Sequence, residues 1–368
     1  MRLKHLGFTI ASILTTIAVG LFSSYAMAAN QCSRIFVSEM SNHEPLAEIK
    51  NLQMTHVEFL DFLSARKGQT LEPAELSHWI QRAEKATTEY FENAGIQFTR
   101  ESVVHEGIDF NGVKIPRLAY DVYKIVESKQ EGSPNALFFN GVLKNSKLKS
   151  LSLIYDPFLS IRQAGVSGYF LNSPHQIWFS WNSLVGRRWG TGDTLRHEVQ
   201  HAFEYQKIRE GRPTLASFQF IGKEKREEAY SDFMSLDEIE THLRDVRFLK
   251  NIVPRLEKSA HLESWQSLNT YRRNAAKDDI ARLKSLISRA KVALAEIEAN
   301  PNASLNHESG DQNVSTFFLS NPHYKLAAFI AKAGEPPPTP AFVKDRVHWA
   351  QERIQQIEKE IQLLEANL

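Results

Sequence analysis

The chain has 368 residues, of which 42% are hydrophobic and 24% charged, and a formal net charge of +1. These values indicate a soluble globular protein of one or two domains. The near-neutral charge gives no reason to expect nucleic acid or an anionic membrane surface as the main partner. Because Cys32 is the only cysteine, an intramolecular disulfide is excluded.

The N-terminal residues have the pattern of a secretory signal peptide. Arg2 and Lys4 precede an apolar segment, and the small-residue sequence Ala26-Met-Ala28 follows it. We therefore expect residues 1–28 to be removed and the mature protein to be secreted or periplasmic. Removal changes the net charge from +1 to −1, since the segment holds two basic residues and no acidic one. No later apolar run is long enough to cross a bilayer, so no membrane-spanning segment is expected in the mature chain.

The region from about residue 41 to residue 95 has a helical pattern. Pro73 stands where a helix can begin, and apolar residues follow at helical spacing. These residues are Leu76, Ile80, Ala83 and Tyr90. The spacing predicts a helix with one buried face.

Between residues 96 and 181 the pattern changes to that of short strands. Runs of β-favouring residues alternate there with clusters of Gly, Pro, Asn and Ser. The runs are Val122–Val126, Leu151–Tyr155 and Gln176–Trp181. A small mixed sheet is therefore expected directly before the next helix.

A helix with clear ends is predicted to begin at Asp193. Asp193 or Thr194 can accept hydrogen bonds from free backbone N–H groups at its start, and the sequence Gly211-Arg-Pro213 is typical of a helix end. One stripe of this helix is suited to burial. It consists of Leu195, Val199, Ala202, Phe203 and Gln206. Residues on the other side are left to bind a ligand.

The remainder of the chain is predicted to be mainly helical. A helix is expected from about Lys223 to Val253, where Pro254 would stop it. Two later segments carry apolar residues at alternating spacings of three and four, which is typical of helices that pack side by side. These positions are Ile280, Leu283, Ile287, Ala290, Leu294 and Ile297, then Val347, Ala350, Ile354, Ile357, Ile361 and Leu364. They predict an antiparallel helical hairpin, whose connection with Pro336-Pro-Pro338 is expected to be a long loop.

The sequence His197-Glu-Val-Gln-His201 in the helix that begins at Asp193 has the spacing of a metal site. Four residues advance a helix by about 400° and roughly 6 Å, so both histidines project from one face at a separation that one metal ion can bridge. Glu198 lies between them and can act on a water molecule at the metal. A catalytic zinc site also requires a third protein ligand.

Several residues after the motif can supply that ligand. They are Glu224, Glu227, Glu228, Glu238, Glu240 and His242. The segment Glu228-Ala-Tyr-Ser-Asp232 resembles a segment of the gluzincin family of zinc metallopeptidases, and the resemblance covers about residues 170–250. It implies a Zn²⁺ ion held by His197, His201 and Glu228, with Asp232 supporting one of the histidines. It also implies hydrolysis of peptide bonds with Glu198 as the general base.

The periodicity of the helix predicted from Lys223 to Val253 is consistent with that ligand. If the helix is continuous, Glu228 and Asp232 lie on the side of the apolar residue Leu243 and therefore face inward. Glu238 would face outward on the same helix. The continuous helix therefore favours Glu228 as the third ligand.

A second helix start within this region leaves an alternative open. The sequence Ser235-Leu-Asp-Glu238 has the form of a capping box, in which a side chain at each end satisfies a free backbone N–H group. A helix that begins at Ser235 would make Asp237–His242 the ligand segment. Glu238 or Glu240 would then replace Glu228 as the third ligand.

The aromatic sequence Trp178-Phe-Ser-Trp181 has two interpretations. It can be an edge strand to which an extended peptide substrate adds, as in other zinc peptidases of this type. It can equally be a strand buried inside the sheet. Only the strand order of the sheet distinguishes the two.

These observations predict an α+β, mainly helical protein. We expect a zincin-like domain over residues 29–253, divided into a helical part (29–95) and a part with the sheet and the metal-site helices (96–253). A C-terminal helical hairpin is expected over residues 254–368, where it can bind a protein partner or a second copy. The predicted function is that of an exported zinc metallopeptidase acting on a peptide or protein substrate. An exported interaction protein with a non-catalytic metal-site fold, and a zinc amidase acting on cell-wall peptides, remain alternatives.

Overall fold

The computed structural model describes residues 47–129, 132–163, 166–172, 174–185, 193–222, 233–258, 263–299, 305–311, 314–320, 324–332 and 339–366. The predicted signal peptide and Cys32 lie outside these ranges. The described part combines long helices with two five-stranded sheets. The predicted α+β, mainly helical class is confirmed.

The helices are α1 (Ala47–Ser64), α2 (Pro73–Asn93), α3 (Pro134–Leu143), α4 (Leu159–Arg162), α5 (Trp181–Val185), α6 (Asp193–Arg209), α7 (Asp237–Lys258), α8 (Glu263–Ala299) and α9 (Pro340–Glu365). The strands are β1 (Ile96–Phe110), β2 (Val113–Ser128), β3 (Ser152–Tyr155), β4 (Gly168–Asn172), β5 (His175–Phe179), β6 (Gln219–Gly222), β7 (Phe233–Ser235), β8 (Leu305–Asp311), β9 (Val314–Ser320) and β10 (Tyr324–Lys332). A 3₁₀ turn, Leu215–Ser217, connects α6 to β6.

The N-terminal helices follow the predicted pattern. Pro73 occupies the first turn of α2, where its missing N–H group costs no hydrogen bond. Leu76 and Ala83 are buried in one hydrophobic core, and Ile80 is partly buried against it. Tyr90 is buried in a neighbouring core. The predicted helix and its buried face are confirmed.

The first sheet has the strand order β1-β2-β3-β5-β4. β3 and β5 run parallel, and the other neighbouring strands are antiparallel, which confirms a small mixed sheet. β5 lies between β3 and β4, and its residues Ile177 and Phe179 are fully buried. The edge-strand interpretation of Trp178-Phe-Ser-Trp181 is therefore wrong, and the buried-strand interpretation is correct. Among the described strands, β4 forms this edge of the sheet.

One hydrophobic core joins the first sheet to α6. Leu195, Val199 and Ala202 of α6 are buried in it, and Phe203 is partly buried against it. Burying a Leu or Val side chain contributes about 1.5–3 kcal/mol, so this stripe fixes the rotation of α6 about its axis. The stripe is confirmed for these four residues, whereas Gln206, also predicted, is only partly buried and lies outside this core. The opposite face of α6 is directed away from the sheet.

His56 of α1 is a buried histidine in this part of the fold. Its ring stacks on Trp181 at 5.5 Å between centroids, and its Nε2 is 3.4 Å from the hydroxyl oxygen of Tyr155. Burial lowers the pKa of His56 from 6.5 to about 3. The folded protein therefore holds this side chain neutral at pH values where the unfolded chain is protonated.

We expect the protein to lose stability as the pH falls from about 6.5 toward 3, because only the unfolded state binds a proton at His56 in that window. The expected contribution of one such proton is at most about 1.4 kcal/mol per pH unit. Urea unfolding at pH 7 and pH 5 should show a smaller loss for His56→Phe than for wild type. The exposed His78 serves as the control, since His78→Gln should retain the full pH dependence. Equal losses in wild type and His56→Phe would contradict the prediction.

The second sheet has the strand order β7-β6-β10-β9-β8, with antiparallel neighbours throughout. β8, β9 and β10 occupy the connection between α8 and α9, so the prediction of a long loop there is wrong. β7 lies within the helix predicted from Lys223 to Val253, so a continuous helix is also wrong. Pairing between β6 and β10 joins the two regions into one sheet, although they are far apart in sequence.

The C-terminal helices α8 and α9 pack antiparallel. Lys284 pairs with Glu365 and Lys291 pairs with Glu358, each at 2.6 Å, so residue numbers rise along α8 as they fall along α9. All the predicted apolar positions of both helices lie in one buried cluster. The predicted antiparallel hairpin is confirmed.

Helix α7 shares this core with the hairpin. Leu236 just before it and Ile239, Leu243 and Val246 within it belong to the same cluster as α8 and α9. The helix continues to Lys258, so the prediction that Pro254 stops it is wrong. A proline removes one helical hydrogen bond, and packing of a long helix against two others can offset that loss.

The predicted boundary between residues 253 and 254 therefore falls inside α7. The division into a domain at 29–253 and a hairpin at 254–368 stays a prediction. Within the part of the chain that the structure describes, no helix combines the length and the apolar character needed to cross a membrane.

Candidate metal centre

A hydrogen-bonded turn ends helix α6. The backbone N–H of Arg212 donates to the carbonyl of Lys207 at 2.9 Å, and that of Gly211 donates to Ile208 at 2.8 Å. Gly211 has a φ of 69°, which a residue without a Cβ adopts at little cost. The helix begins at Asp193 and ends at Arg209, as the flanking residues predict.

Helix α7 presents a polar face that is separate from its apolar one. Glu238, His242 and Asp245 follow one another at spacings of four and three, so they lie on one side of the helix. The buried apolar residues of α7 face the C-terminal helices instead. This division directs the three polar side chains of α7 toward the histidines of α6, with which they make the contacts described next.

The carboxylate of Glu238 lies among three histidine rings. Its Oε2 is 3.2 Å from Nε2 of His197 and 3.4 Å from Nε2 of His242. Its Oε1 is 3.5 Å from Nε2 of His201. The rings of His197 and His201 are 4.7 Å apart between centroids, as their spacing on one helix face predicts. His197, His201 and Glu238 form a group that can hold a metal ion.

Two aspartates contact the far nitrogens of the α6 histidines. Nδ1 of His201 is 2.7 Å from Oδ2 of Asp237, and Nδ1 of His197 is 3.1 Å from Oδ2 of Asp245. An imidazole that donates from Nδ1 to a carboxylate presents the lone pair of Nε2 on its other side. Both rings are therefore oriented with Nε2 toward the carboxylate of Glu238.

Burial and charge act in opposite directions on the titration of this cluster. Burial opposes protonation of His197, but the neighbouring carboxylates of Asp245 and Glu238 raise its pKa well above the ordinary value. Burial likewise opposes protonation of His201, and Asp237 outweighs it to raise the pKa to about 9. Burial would raise the pKa of Glu238, yet the contact with His197 and the charge of His201 lower it to about 2. A metal ion requires neutral imidazoles, so its binding would release protons.

Three buried polar atoms of the cluster have no hydrogen-bond partner among the described residues. They are Oε2 of Glu238 and both ring nitrogens of His242. Leaving such an atom unsatisfied costs about 1–3 kcal/mol. A divalent cation placed between the carboxylate and the Nε2 atoms would accept lone pairs from two of these atoms, Oε2 of Glu238 and Nε2 of His242. The donor set therefore fits a metal ion.

Glu198 is buried beside this group, with 8% of its surface exposed. Burial raises the pKa of Glu198, although the charge of His201 opposes the effect.

The edge strand β4 approaches α6 closely beside Glu198. A Cβ atom at Gly168 would lie 3.2 Å from Cγ2 of Thr194 and 3.5 Å from Cγ of Glu198. A glycine at residue 168 thus allows the backbone of β4 to pass next to the Glu198 side chain.

The residues predicted as third ligand and as its support, Glu228 and Asp232, lie outside the described residues. Their selection depended on a continuous helix that the structure does not have. Glu238, the alternative from the capping-box interpretation, lies beside the histidines instead. Glu240 is directed elsewhere, since its Oε2 accepts a hydrogen bond from Nη2 of Arg353 of α9 at 2.9 Å.

Asp237 and Asp245 were not predicted as supporting residues, although Asp237 belongs to the alternative ligand segment. A signal for one of them was present, because Glu238, His242 and Asp245 repeat at the spacing of one helix face. The sequence gives no comparable signal for Asp237, because its contact with His201 depends on where α7 begins.

Comparison of the chain with protein-family models, with curated proteins and with solved structures gives no match.

Proposed function

We propose that this protein is an exported zinc-dependent metallopeptidase. The observation that carries the proposal is the buried carboxylate of Glu198 next to the group formed by His197, His201 and Glu238. Two imidazoles and one carboxylate are a donor set typical of catalytic zinc, which keeps a further position for solvent or substrate. Export agrees with the predicted signal peptide.

The chemistry of the proposed reaction divides between the metal and Glu198. Zinc bound at this group supplies a Lewis acid and lowers the pKa of water toward neutrality. Glu198 accepts a proton from the attacking water and returns it to the leaving amine of the substrate. Burial prepares Glu198 for this role, because a raised pKa brings the carboxylate closer to the working pH.

Strand β4 supports a peptide as the substrate. It is an edge of the first sheet among the described strands, and its backbone passes Glu198 at Gly168. An extended peptide can add to a free strand edge through main-chain hydrogen bonds, largely independent of its sequence. A peptide bound along β4 would pass close to the general base.

Purified wild-type protein should contain close to one zinc ion per chain and should digest casein. Activity should disappear after dialysis against a chelator and return when zinc is added back. Metal analysis by mass spectrometry and release of acid-soluble peptides measure the two quantities. Peptidoglycan digested in parallel distinguishes a peptidase from a cell-wall amidase. Protein without bound zinc and without zinc-restored hydrolysis of either substrate would contradict the proposal.

A further inference from the structure

A third histidine, His242, lies at the proposed zinc site, and neither the motif nor the resemblance assigns it a role. It is 5% exposed and follows Glu238 by one turn of α7. Its Nε2 is 3.4 Å from Oε2 of Glu238, and its ring centroid is 5.1 Å from that of His197. His242 is thus as close to the Glu238 carboxylate as the two histidines of the motif.

The surroundings of His242 repeat those of the other two histidines. In all three, Nε2 is directed at the carboxylate of Glu238 and Nδ1 faces an aspartate. For His242 that aspartate is Asp279 of α8, whose Oδ1 is 3.6 Å from Nδ1. Metal-binding histidines are commonly oriented by a carboxylate on the nitrogen that does not bind the metal.

We propose that His242 is a fourth protein ligand of the metal and binds it through Nε2. The proposal rests on the zinc site of the proposed function and extends its ligand set from three residues to four. The centre then has three imidazoles and the carboxylate of Glu238. Zinc can expand its coordination to five ligands, which would leave one further position for solvent or substrate.

The unsatisfied atoms of His242 favour a ligand over a packed histidine. Neither ring nitrogen has a hydrogen-bond partner among the residues that the structure describes. A buried imidazole that only packs against neighbours normally has at least one of its nitrogens satisfied. Binding a metal through Nε2 would satisfy one nitrogen and would draw Nδ1 toward Asp279.

A separate second metal site at His242 fits the contacts less well. His197, His242 and Asp245 also form a group of closely spaced donor atoms. However, Nδ1 of His197 already contacts Asp245 at 3.1 Å, and Nε2 of the same ring faces Glu238 at 3.2 Å. One imidazole would have to bridge two cations. A single centre uses each histidine once and keeps Asp245 as the orienting carboxylate.

X-ray absorption at the zinc edge tests the ligand set directly, because it counts imidazoles by their scattering. Zinc-loaded wild type should show three imidazoles, and His242→Phe should show two. Zinc affinity, measured by competition with a chromophoric chelator, should fall more than about 100-fold in His242→Phe. It should fall about 10–100-fold in Asp279→Asn, which removes only an outer partner. The exposed His348 of α9 provides the control, since His348→Phe should change neither quantity.

Two imidazoles in wild type, or unchanged zinc affinity in His242→Phe, would overturn the proposal even if casein is digested. Loss of turnover in His242→Phe with wild-type affinity would likewise overturn it, because His242 would then act on the substrate and not on the metal. Three imidazoles without any hydrolysis would support the ligand set and contradict the peptidase. Should His242→Phe fail to fold, His242→Gln and the wild-type imidazole count decide the question.

Discussion

Replacing Glu238 by glutamine is expected to remove stoichiometric zinc from the purified protein. Among the described residues, the carboxylate of Glu238 is the one anionic donor that lies among the Nε2 atoms of His197, His201 and His242, at 3.2 to 3.5 Å from each. A neutral amide keeps the size of the side chain but loses the charge that attracts the cation. We expect zinc affinity to fall by more than about 100-fold, beyond the effect of losing an outer partner. Chelator competition measures the change.

Glu240→Gln is the matched control for this experiment. Glu240 lies two residues away on α7 and is buried, but it contacts Arg353 and not the histidines. The control should keep wild-type zinc affinity while losing about 1–3 kcal/mol of the free energy of unfolding, because Arg353 loses a charged partner. Full zinc content in Glu238→Gln, or loss of zinc in Glu240→Gln only, would show that the third ligand has been assigned incorrectly.

Replacing Glu198 by glutamine is expected to abolish hydrolysis while zinc stays bound. Glutamine matches the carboxylate in shape but cannot accept a proton, so the loss in kcat should be about 10²–10⁴-fold. Zinc content should remain at the wild-type level, because His197, His201 and Glu238 are unchanged. The thermal unfolding temperature should be retained or increased, since burial disfavours the charged form of Glu198. Casein digestion, metal analysis and thermal unfolding measure the three quantities.

Glu204 on the same helix supplies a comparison for the Glu198 variant. It is 1% exposed, and its carboxylate accepts hydrogen bonds from Lys207 and Thr214, each at 2.7 Å. Glu204→Gln should therefore reduce stability and leave the turnover of the folded protein close to that of wild type. If Glu198→Gln digests casein at the wild-type rate, Glu198 is not the general base and the proposed mechanism is incorrect.

The structure joins α7 to the C-terminal helices more closely than the predicted domain boundary suggested. Asp279 of α8 faces His242, and Arg353 of α9 pairs with Glu240. The apolar face of α7 also belongs to the core of the hairpin. The hairpin therefore fixes the position of α7, and with it the position of Glu238 opposite the histidines. This contact gives the C-terminal helices a structural role at the candidate site.

The parts of the fold that depend on local periodicity could be predicted. The buried apolar residues of α6, α8 and α9 repeat over neighbouring helical turns, so their burial is encoded within each segment. The helix start at Pro73 is likewise a local signal. The spacing of His197 and His201 belongs to the same class, because four residues on a helix always bring two side chains to one face.

The choice between Glu228 and Glu238 could not be made from local periodicity. It depended on whether residues 223–253 form one helix, and the periodicity of Leu243 and its neighbours is compatible with both arrangements. The strand β7 interrupts that region through its place in a sheet that includes β10. Strand pairing joins backbone groups that are far apart in sequence, and no local pattern records which segments will meet.

The sequence by itself determined that two histidines and a glutamate lie on the polar side of a capped, amphipathic helix. Only the tertiary structure decided which carboxylate meets them, because that contact requires α7 to begin at Asp237 and to pack against α8 and α9. The same packing brings His242, and Asp279 from a later helix, to the centre. The proximity of His197 and His201 follows from the geometry of one helix. The position of Glu238 follows from burial of the apolar face on the opposite side of α7.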